Sequence, residues 1–346
     1  MSIKPGALRF NTDSMKLEIF RGSANYEGSA SMAGIGTLAA GQWEEIQATS
    51  PEAQTGGTRG LFSRGYIAPA NRNTIDYITI STTGNAIDFG DSTMTNRQGG
   101  ALASRTRSLT AGTDTAGNTI DFVTISSTGN AQDFGDLNQA RGGLPAGVSN
   151  STRGMFAGGS SPTTLDAIDY VTIASTGNAQ DFGNLTQARQ DGVSGCQSQT
   201  RAVFAGGATP TNVNTIDYVT TSTLGNAANF GDLTETRRSG AGCGNSTRGL
   251  FAGGYQPAHK DTIDYITIAT LGNATDFGNL TSVSVFTSGV SSSTRGCFYL
   301  AYSQPVGYVS TIDYVQIMST GDAIDFGDIS LIREQAAGSS NGHGGL

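Results

Sequence analysis

Three features of this sequence predict an all-β ring of repeated units. The first is a tetrad, Ile-Asp, an aromatic residue and then Ile or Val, whose aspartates are Asp76, Asp121, Asp169, Asp217, Asp264 and Asp313, with spacings of 45, 48, 48, 47 and 49 residues. A repeat at such a period is built as an array in which each unit completes its core against its neighbours. The second is glycine, 49 of 346 residues. That is about twice the usual share, and each glycine costs a helix interior roughly 1 kcal/mol. The third is alternation of β-branched and aromatic residues, as in Thr74 to Ile80, closed by tight-turn signals such as Thr83-Gly84-Asn85-Ala86. Four short antiparallel strands per repeat make a β-propeller. Six blades are expected, with seven the alternative if N-terminal residues build a partial blade.

Residues 1–57 precede the repeats and read as a separate β-hairpin module. Leu8 and Phe10 alternate on one strand, Asn11-Thr12-Asp13-Ser14 makes the turn, and Leu17 and Ile19 alternate back, with Trp43 following. Residues 58–346 form the propeller. Each repeat runs through T-R-G-x-F-A-G-G, a variable stretch, T-I-D-Y-V-T-I, an S-T-x-G-N-A turn, D-F-G-[D/N]-L and an A-R-x-x-x-A-G-x-S-N segment. The tail 332–341 repeats the last segment with nothing after it. It is therefore expected to supply the missing strand of the first blade and close the ring, removing an open edge.

Charge narrows the function. Lys and Arg number 20 against 28 Asp and Glu, a net charge of −8, the reverse of what a phosphate-binding surface requires. No run of 18 apolar residues suits a membrane span, and Met1-Ser2-Ile3-Lys4-Pro5 lacks the core of a secretory signal. Neither nucleic-acid binding nor membrane insertion is expected. Cys196, Cys243 and Cys297 form no CxxC pair and read as small buried residues.

The order of diglycine strand, variable loop, Tyr-bearing strand, aromatic-bearing strand and Arg-led strand is similar to the kelch repeat. Phe89, Phe134, Phe182, Phe230, Phe277 and Phe326 stand where kelch repeats usually carry Trp, and the Asp-Tyr order is reversed. The leading arginine is read as Arg97, Arg141, Arg189, Arg237 and Arg333, and is missing at Ser282-Val283-Ser284-Val285. The stretch from Pro5 to Gly22, followed by Trp43-Glu44-Glu45-Ile46, resembles a hairpin common in structural and fibre proteins of tailed bacteriophages. The gap Ser23 to Gln42 is longer here than in that hairpin.

Catalysis is poorly provided for. Only His259 and His343 are present, and His343 in its glycine-rich tail reads as disordered or terminal. No metal, cofactor or catalytic residue is expected. The repeated aspartates and the Thr-Arg arginines Arg59, Arg107, Arg153, Arg201, Arg248 and Arg295 read as structural, as a side-chain link fixing a turn or an Arg–Asp bridge between neighbouring strands, with calcium sites or a cation-lined channel as lesser alternatives. The loops that differ between repeats fall on one face, and binding is usually built on such loops. Candidate binding residues are Arg64, Tyr66, Arg72, Tyr255, His259, Lys260, Tyr299, Tyr302 and Tyr308. Arg64, Tyr66, Tyr299 and Tyr302 break the diglycine rule where the ring closes.

Together with the resemblances, this implies a non-enzymatic virion protein of a tailed bacteriophage, a tail-fibre, baseplate or capsid-surface component. Phe10, Leu17, Ile19 and Trp43 would attach it to other virion proteins, in several copies on the particle, after assembly in the host cytoplasm. The variable face would contact a host glycan or protein. The alternatives are a free-standing kelch-like interaction or lectin-like protein, and a glycan-cleaving enzyme with a carboxylate pair assembled across blades.

Overall fold

The computed structural model describes residues 58–346 throughout and, before them, only the backbone of three short strands. The chain divides into two compact units, Met1–Gln54 and Thr55–Leu346. In the first, Leu8–Asn11, Lys16–Arg21 and Gln42–Glu45 pair antiparallel in that order, with Phe10 opposite Leu17 and Phe20 opposite Trp43. The side chains of Phe10, Leu17, Ile19 and Trp43 lie outside the described residues.

The second unit is a ring of six four-stranded antiparallel blades, not seven. Blade two shows the plan. Its strands Gly100–Ala103, Arg107–Ala111, Gly117–Thr124 and Gln132–Arg141 run in sequence order from the axis outward. Blades three to six begin with the inner strands Ala146–Ser149, Ser194–Gln197, Ala241–Gly244 and Ser288–Ser291. Blade one is composite. Ala337–Ser340 supplies its inner strand and pairs with Arg59–Ile67, and Ala70–Thr79 and Ile87–Asn96 follow.

The core lies between blades. In blade one Leu61 packs with Phe89, Ala103 and Ile125 toward blade two, while Phe62 packs with Val290, Cys297 and Phe326 toward blade six. Both faces of the second strand are thus covered, so it reads as an apolar run, whereas the third strand mixes buried Ile168, Asp169 and Val171 with half-buried Tyr170 and exposed Thr172. At the axis the inner strands approach closely. A Cβ at Gly147 or Gly242 would collide with the backbone of Ala101 or Gly195 in the preceding blade, so glycine is required there.

Strand order assigns the loops to faces. Connections from first to second and third to fourth strand lie at one end of the ring. The variable second-to-third connections share the other end with the crossovers between blades. The axial channel is blocked at the constant-turn end by the chain itself. Beyond the last strand, His343 is buried, with Nε2 2.7 Å from the Ala103 carbonyl oxygen and Nδ1 2.7 Å from Gln197 Nε2. The Gly345 amide also donates to Nδ1, at 3.1 Å. This corrects the expectation of a disordered histidine: the glycines after it thread where a Cβ would strike the Ser149 and Asn245 carbonyls.

Candidate ligand-binding face

What every repeat shares is used to hold neighbouring blades together. Each tetrad aspartate is buried and receives groups from the outer strand or crossover of the preceding blade. Arg141 lies 2.7 Å from Asp169, Arg189 2.6 Å from Asp217, Arg237 2.7 Å from Asp264 and Arg333 2.7 Å from Asp76. Threonines assist: the Thr186 amide and hydroxyl donate to Asp217 at 3.1 and 2.7 Å. Burial lowers the pKa of Arg141, Arg189 and Arg237, opposed by the facing carboxylates.

Of the two expected links, the Thr-Arg arginines do not make the Arg–Asp bridge. Arg201 instead lies 4.5 Å over the Tyr218 ring of its own blade and donates to the Ile268 carbonyl of the next. Arg295 does the same across the closure, 4.9 Å over Tyr314 and donating to Ile80. The geometry explains the choice, because these arginines start near the constant-turn end, where the exposed carbonyls are. A third tie comes from the turn asparagines, such as Asn130 Oδ1, which accepts from the Asp91 amide of the preceding blade.

The arginine series departs from its expected register in blade one. Asn96, not Arg97, occupies the equivalent position in blade one, and Arg64 supplies the missing guanidinium. From φ 61° at the position of the first glycine of the pair, it reaches Asp121 at 2.6 Å, Ser92 at 2.8 Å and Asn96 at 3.3 Å. Arg64 is 1% exposed, so it is a core residue and not a binding residue. Arg97 stacks 4.3 Å over Tyr66 and pairs with Asp114. In blade six Asp313 has Thr281 but no arginine, and burial raises its pKa against the Thr281 hydrogen bonds.

Tyr299 is likewise removed from the candidate surface. Fully buried between blades six and one, it sits 5.8 Å from Phe62, and its hydroxyl donates to the Arg333 carbonyl at 2.5 Å. Burial pushes its phenol up to about 12. The physical cause is position: it replaces the alanine of A-G-G, whose side chain points between blades.

The remaining aromatic candidates do come together on the variable face. Tyr255 and His259 pack edge-on at 5.9 Å, His259 and Tyr302 at 5.7 Å, and Tyr302 and Tyr308 at 5.3 Å. Arg238 lies 5.5 Å over Tyr255. His259 Nδ1 is buried without a hydrogen-bond partner, and desolvation lowers the pKa of the ring. Lys260 is held by Glu235 at 2.6 Å, and Arg72 lies on Ala70–Thr79 opposite Gly65 and Asn96.

The candidate list missed the residues at the channel mouth. A cavity of about 330 Å³ opens there, bounded in part by Asp191, Arg238, Phe286 and Gln335 together with Tyr255 and His259. All four lie in the crossover from one blade to the next, within or just beyond the unspecified positions of A-R-x-x-x-A-G. That variability was the available signal. Among the described residues, no group of three or more His, Cys, Asp or Glu side chains is placed to hold a metal. No protein-family model matches this sequence, and no curated protein matches it.

Proposed function

We propose that this chain is a non-enzymatic adhesion or assembly subunit of a tailed-bacteriophage virion, attached through residues 1–57 and presenting the variable face of its ring to a partner. The observation that carries the binding role is the chain of aromatic rings from Tyr255 to Tyr308, which spans blades five and six on the face where the loops differ. The repeated charges are consumed in joining blades, whereas these rings are only partly buried. Partly exposed tyrosines beside arginine suit a protein hot spot or a sugar surface. The virion role is supported by the likeness of the N-terminal segment to phage hairpins, and the kelch-like repeat is in keeping with a body built for interaction.

The test combines antibody labelling of purified particles with binding of the tagged full chain to host cells. Labelled particles and bound cells are expected, and Tyr302→Ala/Tyr308→Ala is expected to weaken cell binding about tenfold or more with unchanged melting temperature. Unlabelled particles overturn the virion role and favour a free-standing lectin-like protein. Cell binding indifferent to the double substitution overturns the face.

A further inference from the structure

The nine non-glycine residues with positive φ among those described are not scattered. Six of them, Gln98, Leu144, Asp191, Ser239, Phe286 and Gln335, occur one per blade in the crossover to the next inner strand, with φ between 53° and 63°. That conformation is uncommon for residues with a Cβ, and more so for Leu and Phe. Here it turns main-chain amides toward the neighbouring blade. The Asp191 amide donates to Gly143, Ser239 to Asp191 and Phe286 to Ser239, at 2.7, 2.8 and 2.9 Å. The outcome is a run of linked backbone through four consecutive crossovers, from Gly143 to Phe286, and the left-handed geometry repeats in all six while the side chains do not.

All six side chains line the 330 Å³ cavity at the channel mouth. Its volume is at the small end of ligand pockets, which start near ~300 Å³. Two of the residues that line it carry a buried polar atom with no hydrogen-bond partner, Gln335 Oε1 and His259 Nδ1, and Gln335 is only 7% exposed. Buried polar atoms are ordinarily satisfied, so an orphan pair bordering one cavity points to a ligand that supplies the missing partners. The chemistry narrows the class. Asp191 and Arg238 neutralise each other at 3.0 Å, leaving no net charge to attract an anion or a cation. Phe286 and Tyr255 offer flat apolar rings, while Gln98, Gln335 and the Asp191–Arg238 pair offer planar polar edges. A ring of C–H faces bordered by hydroxyls meets both demands.

We infer that the six left-handed crossover residues form a pocket for one neutral sugar unit, free or at the end of a glycan. The inference rests on the binding face proposed above but names a different site on it, at the axis and not along the tyrosine chain. The test is calorimetric and saturation-transfer titration of the full chain with free glucose, galactose, mannose and N-acetylglucosamine, and with glycans ending in the same units. Saturable binding of at least one sugar is expected, falling at least tenfold in Gln335→Leu. Because that substitution removes an unpartnered buried group, the melting temperature should hold or rise. Lack of saturable binding to every probe, or binding unchanged in both Gln335→Leu and Asp191→Ala, overturns the pocket. Binding of the glycan alone marks a chain-end site, and binding of the free sugar marks a solute site. Cell binding without any sugar binding would sink the pocket and leave the adhesion reading standing. Sugar binding without cell binding would do the reverse.

Discussion

A guanidinium can reach Asp121 from two places in this fold, and the chain uses the unusual one. In the four blades that supply one from the usual place the arginine comes from the outer strand or the crossover, but blade one has Asn96 there and reaches across from Arg64 at φ 61°. Removing one partner of a buried pair leaves an uncompensated charge, at about 3–5 kcal/mol. Arg64→Gly should therefore lower stability by about that amount despite relieving the left-handed strain. Arg64→Gly/Asn96→Arg restores the arrangement of the other blades and should recover most of the loss, as followed by calorimetry. A double variant no more stable than the single would show that the two positions are not exchangeable. The sequence marked Arg64 as a departure from the diglycine rule, but its destination was not legible, because linear spacing carries no information about where a long side chain ends. The same limit hid Tyr299.

At the scale of elements, the strands were legible because six copies of Ile-Asp-aromatic-[Ile/Val] and of Phe-Gly make each assignment six times over. The inner strands were harder. Their sequences, such as Ala146-Gly147-Val148-Ser149, are small and weakly alternating because they are selected for close approach at the axis. The crossover conformation was illegible, since at Asp191, Ser239 and Phe286 it is tied by amide hydrogen bonds to the neighbouring crossover and the residue types follow no pattern. The C-terminal segment has two tasks, strand pairing at Ala337–Ser340 and channel blocking at His343. Deleting residues 337–346 should strip blade one of its inner strand and leave the edge of Arg59–Ile67 open. Calorimetry should then show loss of the single cooperative transition, and light scattering should show concentration-dependent association. A truncated chain that stays monomeric with an unchanged transition would refute the closure role.

For the whole molecule, the seal at the constant-turn end gives stability a dependence on acidity. His343 donates from Nε2 and accepts at Nδ1 from two N–H groups, so only the neutral ring fits, and burial lowers its pKa from 6.5 to about 4. The folded state therefore binds fewer protons than the unfolded state between those values, and stability falls as pH drops from about 6.5 to about 4. The shift corresponds to roughly 3 kcal/mol at about 1.4 kcal/mol per unit. The melting-temperature advantage of the native chain over His343→Gln should be largest above pH 6.5, shrink toward pH 4 and then level off. A constant difference would exclude titration of His343. The raised pKa values of Asp169, Asp313 and Glu334 act in the opposite sense but are common to both proteins and cancel. Ring closure also has a consequence in time. Blades two to six are each continuous in sequence and can form as they leave the ribosome, but the Arg59 amide waits for Asn341, 282 residues later. At about 5–20 residues per second, the first blade stands incomplete for roughly 15–60 s of synthesis. During that interval the inner strand of a finished neighbouring chain, Ala337–Ser340, can take the place of its own.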